Sequence, residues 1–329
     1  MANSGKGAII GTGSYLPEKV LTNFDLEKMV DTSDEWIFTR TGIRERHVVG
    51  GDTATSDLAV EAARRALEDA RVAPEEVDLI AVATITPDYP LPATACIVQD
   101  RLGAKKAGAF DLQAACSGFV YGIHLAAGYL AAHPDKTVLV IGAETLTKMT
   151  DYTDRTSCIL FGDGAGAVVM RTGEAGQGLL NGELGADGSG YAMMITPGGG
   201  SRQPASHATV DARLHYMKIR GREVFKFAVT KMGDLMENAL KTNGLSVEDV
   251  ALVVPHQVNV RIISAAAERI GLPLEKVYIN IDRVGNTSAA SVAIALDEAK
   301  RAGRIRRGDI VILLGFGGGL TWSSAVLRW

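Results

Sequence analysis

Cysteine is scarce in this chain, and its scarcity excludes a fold built on disulfides. The 329 residues include three cysteines, Cys96, Cys116 and Cys158, an odd and widely spaced set that suits a reducing compartment. These cysteines and the six histidines show no zinc-ligand spacing. We therefore expect free thiols, no metal site, no redox cofactor and a cytoplasmic location.

The chain also has no excess of positive charge and no long apolar run. The net charge is −4 and no basic stripe occurs, so nucleic acid is not the expected partner. The amino-terminal segment carries one lysine and a short apolar patch at Ala8–Ile10, which predicts no signal peptide. No apolar run reaches the roughly 18 residues of a membrane-spanning helix, so we expect no membrane contact.

Short apolar runs, rich in β-branched residues, alternate with amphipathic segments along the whole chain. The runs predict buried strands at Leu79–Thr84, Thr137–Ile141, Ala165–Met170, Ala251–Val254 and Ile310–Leu314. The amphipathic segments predict helices at Ser56–Ala70, Ala93–Leu102, Phe225–Thr242 and Val260–Ile270. Strands interleaved with helices indicate an α/β fold.

The chain also resembles itself at an offset of about half its length. Pro74–Ala83 parallels Ser246–Pro255, and Val138–Gly142 parallels Val311–Gly315. One long offset indicates a duplicated α/β domain, since a solenoid needs several short repeats. We expect an N-terminal half over residues 1–172, a loop-rich connection with a strand or two over 173–220, and a C-terminal half over 221–329. A site between the halves could use residues of both.

Cys116 is the first candidate for chemistry. It follows a strand ending near Leu112 and precedes a small-residue helix, Gly118–Ala132. The N–H groups and the dipole at a helix start stabilise a thiolate, and the same N–H groups can hold an oxyanion. The alternative is a buried, inert thiol, and this motif alone does not decide between the two.

His256 is the second candidate, because it ends an apolar strand at the edge where α/β sheets bind ligands. A helix cap or a hydrogen-bonded core residue is the alternative. The third candidate is Asn286, in a turn between a predicted strand at Val277–Ile281 and a helix from Ser288. Its amide could donate a hydrogen bond to an enolate, or it could be an ordinary turn residue.

A glycine loop, Gly315–Gly319, follows the last apolar strand and precedes a final strand at Thr321–Leu327. Consecutive glycines let a backbone N–H approach a ligand, although a flexible turn is the alternative. Each of the four motifs is weak alone. Together they place a thiol, an imidazole, an amide and a glycine loop on one face.

The order and spacing of these motifs resemble the beta-ketoacyl-acyl-carrier-protein synthase III family of thiolase-like condensing enzymes. The matching segments are AACSGF (Ala114–Phe119), PHQVN (Pro255–Asn259), GNTSAAS (Gly285–Ser291), FGGG (Phe316–Gly319), TSDEWIFTRTGIRERH (Thr32–His47) and FGDGAGA (Phe161–Ala167). The resemblance covers essentially the whole chain. It implies a duplicated thiolase-like fold, with five αβαβα layers and two mixed sheets, and a homodimer.

The resemblance also implies roles for individual residues. Cys116 would accept the acyl group, His256 and Asn286 would assist decarboxylation, and the N–H groups of Cys116 and Gly318 would form the oxyanion hole. The residues that would bind coenzyme A are Thr32, Trp36, Arg40, Arg155, Gly221 and Asn259, with Trp36 and Arg155 enclosing the adenine. Lys226 and Arg261 would bind the acyl carrier protein, and Leu91 would shape the floor of the primer pocket.

The implied reaction joins acetyl-CoA, or another short acyl-CoA, to malonyl-acyl carrier protein. It releases coenzyme A and carbon dioxide, forms acetoacetyl-acyl carrier protein and begins type II fatty acid synthesis. Coenzyme A is then a substrate carrier, and no cofactor is required. Open alternatives are a same-fold 3-oxoacyl synthase with a longer, branched or aromatic primer, a Cys-His thioesterase and a non-catalytic acyl-binding protein.

A dinucleotide-binding protein is a further alternative, suggested by the glycines of Gly162–Gly166. Strand-like residues follow these glycines, whereas a Rossmann fingerprint requires a helix there. We therefore do not favour this alternative.

Overall fold

The computed structural model describes residues 7–329. The protein is built around two mixed β-sheets. The expectation of no signal peptide concerns a segment that begins outside the described residues. The strands are β1 (Gly7–Tyr15), β2 (Val20–Thr22), β3 (Glu45–His47), β4 (Leu79–Ala83), β5 (Gly108–Leu112), β6 (Val138–Thr145), β7 (Asp163–Thr172), β8 (Gly178–Ala186), β9 (Met194–Ile195), β10 (Lys218–Ile219), β11 (Val250–Pro255), β12 (Ile310–Gly317) and β13 (Thr321–Arg328).

The α-helices match the predicted amphipathic segments, and shorter helices lie in the loops. They are α1 (Asn23–Leu26), α2 (Asp34–Thr41), α3 (Thr55–Ala70), α4 (Thr94–Leu102), α5 (Gly118–Ala132), α6 (His207–Asp211), α7 (Gly221–Asn243), α8 (Val260–Arg269), α9 (Ile281–Val284) and α10 (Ala290–Arg301).

The two sheets share one strand order. The first sheet runs β1-β7-β6-β4-β5, and the second runs β8-β13-β12-β11. A single bridge between Val253 and Val277 occupies the place of a fifth strand beside β11. The strand β8 lies within the predicted connection 173–220 but pairs with β13 in the second sheet. The duplicated order supports the internal repeat, while the exact boundaries of the halves stay a prediction.

The helices form three layers around the two sheets. Helices α5 and α10 share an apolar core with both sheets. Helices α3 and α4 cover the outer face of the first sheet, and α7 and α8 cover that of the second. The predicted αβαβα layering is therefore confirmed.

Small residues let the middle layer lie directly on the first sheet. A Cβ atom added at Gly142 would lie 2.3 Å from the carbonyl oxygen of Ala289, and one at Gly166 would lie 2.5 Å from the Cβ of Ala293. Any residue larger than glycine at these two positions would push α10 away from the sheet. The close packing fixes the start of α10, and with it the preceding Asn286 loop, against the end of β6.

The expectation about apolar runs is wrong for Ala115–Ala132. This segment of 18 residues has the length and composition of a membrane-spanning helix. However, 56% of it is buried inside the protein, and its α5 portion packs between the two sheets. The core helix of an α/β protein produces the same signal as a membrane helix because both avoid polar side chains.

The predicted strand at Val277–Ile281 is also wrong. After one bridge to β11 at Val277, the Gln257 side chain forms the hydrogen bonds that a neighbouring strand would form. The Gln257 amide donates to the carbonyls of Pro255 and Tyr278, and its oxygen accepts the Asn280 N–H at 3.0 Å. Helix α9 then begins at Ile281. The next helix begins at Ala290 rather than Ser288, since the positive φ of 48° at Ser288 is not helical.

Candidate active site

Cys116 lies in a short 3-10 turn, Ala115–Ser117, that leads directly into α5. Ala115 adopts a φ of 47°, a left-handed conformation that costs energy for a residue with a Cβ and is typical of functional sites. A Cβ at Gly317 would lie 2.6 Å from the Cys116 nitrogen. The glycine loop therefore packs directly against the backbone of Cys116, while the oxyanion hole stays a prediction.

Burial opposes the predicted stabilisation of a thiolate at Cys116. Burial raises the pKa of Cys116 to about 12, a hydrogen bond with Ser288 opposes this rise, and the charge of Glu144 adds to it. Only 5% of Cys116 is exposed, so loss of solvation outweighs the stabilisation that the helix start supplies. The resting group is a thiol, and it must lose its proton when it reacts.

His256 follows β11, and a hydroxyl group fixes the orientation of its ring. Its Nδ1 lies 2.6 Å from the Ser291 hydroxyl, which also accepts the backbone N–H of Gln257. This contact fixes the orientation of the ring, and Nε2, which has no hydrogen bond among residues 7–329, is the ring nitrogen left for a ligand. Burial lowers the pKa of His256 to about 3. The ring also meets Phe316, two residues before Gly318, edge to face at 5.4 Å.

Burial of His256 predicts a pH-dependent loss of stability. An unfolded histidine binds a proton below its ordinary pKa of 6.5, whereas folded His256 does so only near pH 3. The unfolded state therefore gains about 1.4 kcal/mol for each pH unit below 6.5. Because the unfolded histidine is already half protonated at pH 6.5, we expect the free energy of unfolding to fall by about 1 kcal/mol more in the native chain than in His256→Gln between pH 6.5 and pH 5.5.

Denaturant titrations of both proteins at the two pH values measure this difference. Glu144, whose pKa burial raises to about 7, has the opposite effect, because it stabilises the fold as the pH falls toward 4.5. Both proteins retain Glu144, so its contribution cancels. Equal losses in the two proteins would contradict a buried, neutral His256.

Asn286 is oriented by the backbone around it. Its Oδ1 accepts the N–H of Ser288 at 2.9 Å, which leaves the amide nitrogen as the end that can donate to a ligand. Its own backbone exchanges hydrogen bonds with Leu160 and Gly162. The Asn286 loop is thus attached to the segment before β7, in the other half of the molecule.

A cavity of about 650 Å³ leads to Asn286 from the surface. Its wall includes the predicted residues Trp36, Arg40, Gly221, Asn259, Arg261 and Asn286. It also includes residues that the sequence did not indicate, among them Leu160, Phe161, Met194, Ile219, Arg222 and Phe225. Cys116 and His256 lie outside this wall. A Cβ atom added at Gly318 would lie 3.4 Å from the sulfur of Met194, which lines the cavity.

The outer part of the site is centred on Trp36 in helix α2. Ser33 caps this helix by accepting the N–H of Trp36 at 3.1 Å. The guanidinium carbons of Arg40 and Arg155 lie 4.4 Å and 4.9 Å from the centre of the indole. An aromatic base between two planar groups needs about 7 Å. Adenine could therefore stack between Trp36 and Arg155 only after that arginine moves.

Two buried polar atoms near Trp36 have no hydrogen-bond partner among residues 7–329. They are the Thr32 hydroxyl and the Arg155 Nε. Neither residue lines the cavity, although Arg155 pairs with Asp31 at 3.2 Å. A buried polar group without a partner is costly, and both atoms could be satisfied by a polar ligand once the arginine moves.

The structure explains the residue type at Asn259 but not at Gly221. Asn259 caps α8 by accepting the Arg261 N–H, and its amide donates to the Arg40 carbonyl at 2.7 Å. It therefore joins α8 to α2 at the cavity. Gly221 begins α7, and a Cβ there would contact nothing within 4 Å, so packing does not require glycine at this position.

The predicted carrier-protein residues are exposed on two packed helices. Lys226 lies on α7 and Arg261 on α8, and within the described part of the chain neither forms an ion pair. Arg261 lies 5.6 Å from the Phe225 ring, next to the cavity. Arg269 is less available, because Asp234 and Glu237 bind it at 2.8 Å and 3.0 Å.

Leu91 does not line this cavity, and its role at the floor of the primer pocket stays a prediction. Its side chain is 85% exposed in the loop between β4 and α4. The sequence match aligned its position but could not show which way the loop presents it.

Three polar residues were missed by sequence reasoning. Ser288 and Ser291 lie inside the GNTSAAS motif, where Asn286 drew the attention, and Glu144 ends a buried strand. Only the fold shows that Ser288 donates to Glu144. Within residues 7–329, no group of three or more His, Cys, Asp or Glu side chains could hold a metal ion.

Comparisons with known proteins agree with this geometry. Residues 110–188 match the family described as 3-oxoacyl-[acyl-carrier-protein] synthase III, and residues 240–329 match its C-terminal region. A beta-ketoacyl-[acyl-carrier-protein] synthase III of Desulfitobacterium hafniense is 57% identical over 98% of this chain and 97% of its own length.

Solved structures show the same similarity. The 3-oxoacyl-[acyl-carrier-protein] synthase III of Aquifex aeolicus has a TM-score of 0.90 and 47% identity, over 98% of this chain and 100% of the other. A priming beta-ketosynthase of a polyketide pathway has a TM-score of 0.90 at 35% identity, over 99% and 97%.

The fold and these relatives define a thiolase-like condensing enzyme, an acyltransferase. More specifically, the chain belongs to the beta-ketoacyl-acyl-carrier-protein synthase III family.

Proposed function

We propose that this enzyme carries an acyl group on Cys116 and joins it to the two-carbon unit of malonyl-acyl carrier protein, which starts type II fatty acid synthesis. One observation carries the residue assignments. The glycine loop packs against the Cys116 backbone, its Phe316 meets the His256 ring edge to face, and Asn286 lines a cavity of about 650 Å³. Family membership supports the overall reaction.

The first half-reaction transfers the acyl group. Cys116 attacks the thioester carbonyl of acetyl-CoA, and the N–H groups of Cys116 and Gly318 hold the oxyanion. Coenzyme A leaves as its thiol, and an acyl-enzyme remains. Trp36, Arg40 and Arg155 suit the adenine and phosphates, because guanidinium groups pair with phosphate and stack on aromatic rings.

The second half-reaction forms the carbon–carbon bond. Malonyl-acyl carrier protein enters the same cavity, and its thioester carbonyl accepts hydrogen bonds from His256 Nε2 and the Asn286 amide. Loss of carbon dioxide leaves an enolate that these neutral donors stabilise. Its carbon attacks the acyl thioester, Cys116 leaves, and a solvent proton restores the thiol. The exposed cations Lys226 and Arg261 suit an acidic carrier protein.

Location and assembly are also part of the proposal. The free cysteines suit a cytoplasmic enzyme. A homodimer accounts for the exposed Leu91 and Tyr89, at 85% and 59%, since large exposed apolar side chains mark interaction surfaces. No cofactor takes part in either half-reaction.

A second candidate differs in the primer. The similar priming beta-ketosynthase of a polyketide pathway and the absence of Leu91 from the cavity wall favour testing primers beyond acetyl. The alternative enzyme would use a longer, branched or aromatic acyl-CoA.

A panel of acyl-CoA primers with malonyl-acyl carrier protein, read by product mass, tests both candidates. Acetoacetyl-acyl carrier protein as the preferred product supports the first. Preference for a longer or branched product supports the second. Release of free acid without condensation would contradict both and support a thioesterase, and a complete lack of carbon dioxide release would support a non-catalytic acyl-binding protein.

A further inference from the structure

Arg46 is a buried cation that neither half-reaction of the proposed function uses. It lies in the middle of β3, and its side chain has no solvent exposure. Burial lowers the pKa of Arg46 to about 10, so the guanidinium stays charged at neutral pH. Among residues 7–329 no carboxylate forms an ion pair with it, and its Nε has no hydrogen-bond partner. A buried charge without a counter-charge is costly, so stability alone does not explain an arginine at this position.

The Arg46 guanidinium joins the segment before α2 to the wall of the cavity. Its Nη1 donates to the carbonyl of Leu21 at 3.1 Å and to the Oδ1 of Asn23 at 2.9 Å. Its Nη2 donates to the carbonyl of Ile159 at 2.7 Å. Ile159 lines the cavity, and so do the two residues that follow it. The guanidinium therefore fixes this stretch of the wall relative to β2 and α1.

The aliphatic stem of Arg46 lies against the backbone that carries Asn286. The Asn286 N–H donates to the carbonyl of Leu160 at 2.9 Å, and the Gly162 N–H donates to the Asn286 carbonyl at 3.0 Å. A Cβ atom added at Gly162 or at Gly285 would lie 3.0 Å from the Cβ of Arg46. Because these two glycines belong to the two paired segments, the stem contacts both of them and supports the pairing that presents the Asn286 amide.

Different elements hold the nucleophile. A Cβ atom at Gly317 would lie 2.6 Å from the Cys116 nitrogen, and one at Gly315 would lie 2.9 Å from the Cα of Ser117. The turn that carries Cys116 thus packs on the end of β12. No hydrogen bond of the Arg46 side chain reaches either element. A change at Arg46 should therefore displace Asn286 and leave the thiol in place.

We infer that Arg46 is a positioning residue for decarboxylation, which holds the Asn286 amide where it meets the malonyl thioester. The inference rests on the proposed role of Asn286. Arg46 touches no reacting atom, and it acts through the segment that begins at Ile159. A methionine at position 46 would fill a similar volume but leave the Ile159 carbonyl without its donor. A displacement of about 1 Å in a group that orients the substrate can lower a rate by about 10²-fold.

Release of labelled carbon dioxide from malonyl-acyl carrier protein by the pre-acetylated enzyme measures this role. In Arg46→Met we expect release to fall by about 10-fold to 10²-fold. Acetyl loading at saturating acetyl-CoA should stay within about twofold of the native rate. Arg46→Lys keeps the charge but loses the fork that reaches both sides. It should show a smaller loss, confined to the same half-reaction.

A double-variant cycle separates positioning from a general structural effect. If Arg46 acts through Asn286, then Arg46→Met should cause no further loss of carbon dioxide release in Asn286→Ala, because the amide that it positions is already gone. Two independent defects would instead multiply.

Arg301→Met is the matched control. Arg301 also joins two elements through its guanidinium, by donating to Asp297 at 3.0 Å and to the carbonyl of Thr12 at 3.5 Å. It lies at the end of α10 that is farther from the Asn286 loop. This variant should keep the native rate in both half-reactions.

Three outcomes would overturn the inference. They are native carbon dioxide release in Arg46→Met, equal losses in its two half-reactions, or the same further loss when Arg46→Met is added to Asn286→Ala. If Arg46→Met does not fold, Arg46→Lys in the same cycle decides by the same criteria. Native carbon dioxide release in Asn286→Ala would instead overturn the proposed function.

Discussion

Cys116→Ala should form no acyl-enzyme with acetyl-CoA, and condensation should fall by at least about 10³-fold. The reason is that no other group next to the glycine loop can form a thioester. Cys116→Ser should retain a trace, since an alcohol is a weaker nucleophile at its ordinary pKa. Intact-mass spectrometry after incubation with acetyl-CoA measures the acyl adduct.

Cys158→Ala is the matched control for this experiment. Cys158 is also a buried free thiol whose pKa burial raises, to about 11, and its neighbours Ser157 and Ile159 line the cavity. The control should load acetyl at the native level. An undiminished adduct on Cys116→Ala, or its loss in Cys158→Ala, would contradict the assignment of the nucleophile.

His256→Ala and Asn286→Ala should separate the two half-reactions. Both variants should accept an acetyl group at close to the native rate, because neither residue deprotonates the thiol. Each should lose about 10²–10³-fold in carbon dioxide release, the usual effect of removing one hydrogen-bond donor from a developing oxyanion. Labelled carbon dioxide released from malonyl-acyl carrier protein by the pre-acetylated enzyme measures the second step.

His124→Ala controls for the loss of any buried imidazole. His124 is also largely buried, burial lowers its pKa, and its Nε2 lies 2.7 Å from the carbonyl of Ser324. We expect native decarboxylation in this variant. Equal losses of acylation and decarboxylation in His256→Ala would indicate a general structural effect rather than the proposed role.

Much of the fold could be predicted from periodicity alone. The strands β4, β6, β7, β11 and β12 and the helices α3, α4, α7 and α8 lie within a few residues of the predicted segments. Apolar runs and amphipathic segments reflect burial directly, so they transfer well from sequence to structure. The strand predicted at Val277–Ile281 failed because the Gln257 side chain supplies hydrogen bonds that periodicity does not represent.

Motif order selected Cys116, His256 and Asn286 as candidates, and their roles stay a prediction. The electrostatics of the site were not predictable from the sequence. The protonation state of Cys116 was not predictable, because it depends on how far burial outweighs the helix start. Glu144 was missed because a single acid after an apolar strand has no local signature until the fold places Ser288 beside it.

Transfer of a labelled acetyl group tests the central claim most directly. The enzyme is acetylated with labelled acetyl-CoA, freed of coenzyme A, mapped by peptide mass spectrometry and then mixed with malonyl-acyl carrier protein in a single turnover. We predict that the label first resides on Cys116 and then appears in acetoacetyl-acyl carrier protein, with one carbon dioxide released for each acetyl transferred. Label that remains on the enzyme, resides on another residue or emerges as free acetate would contradict the account.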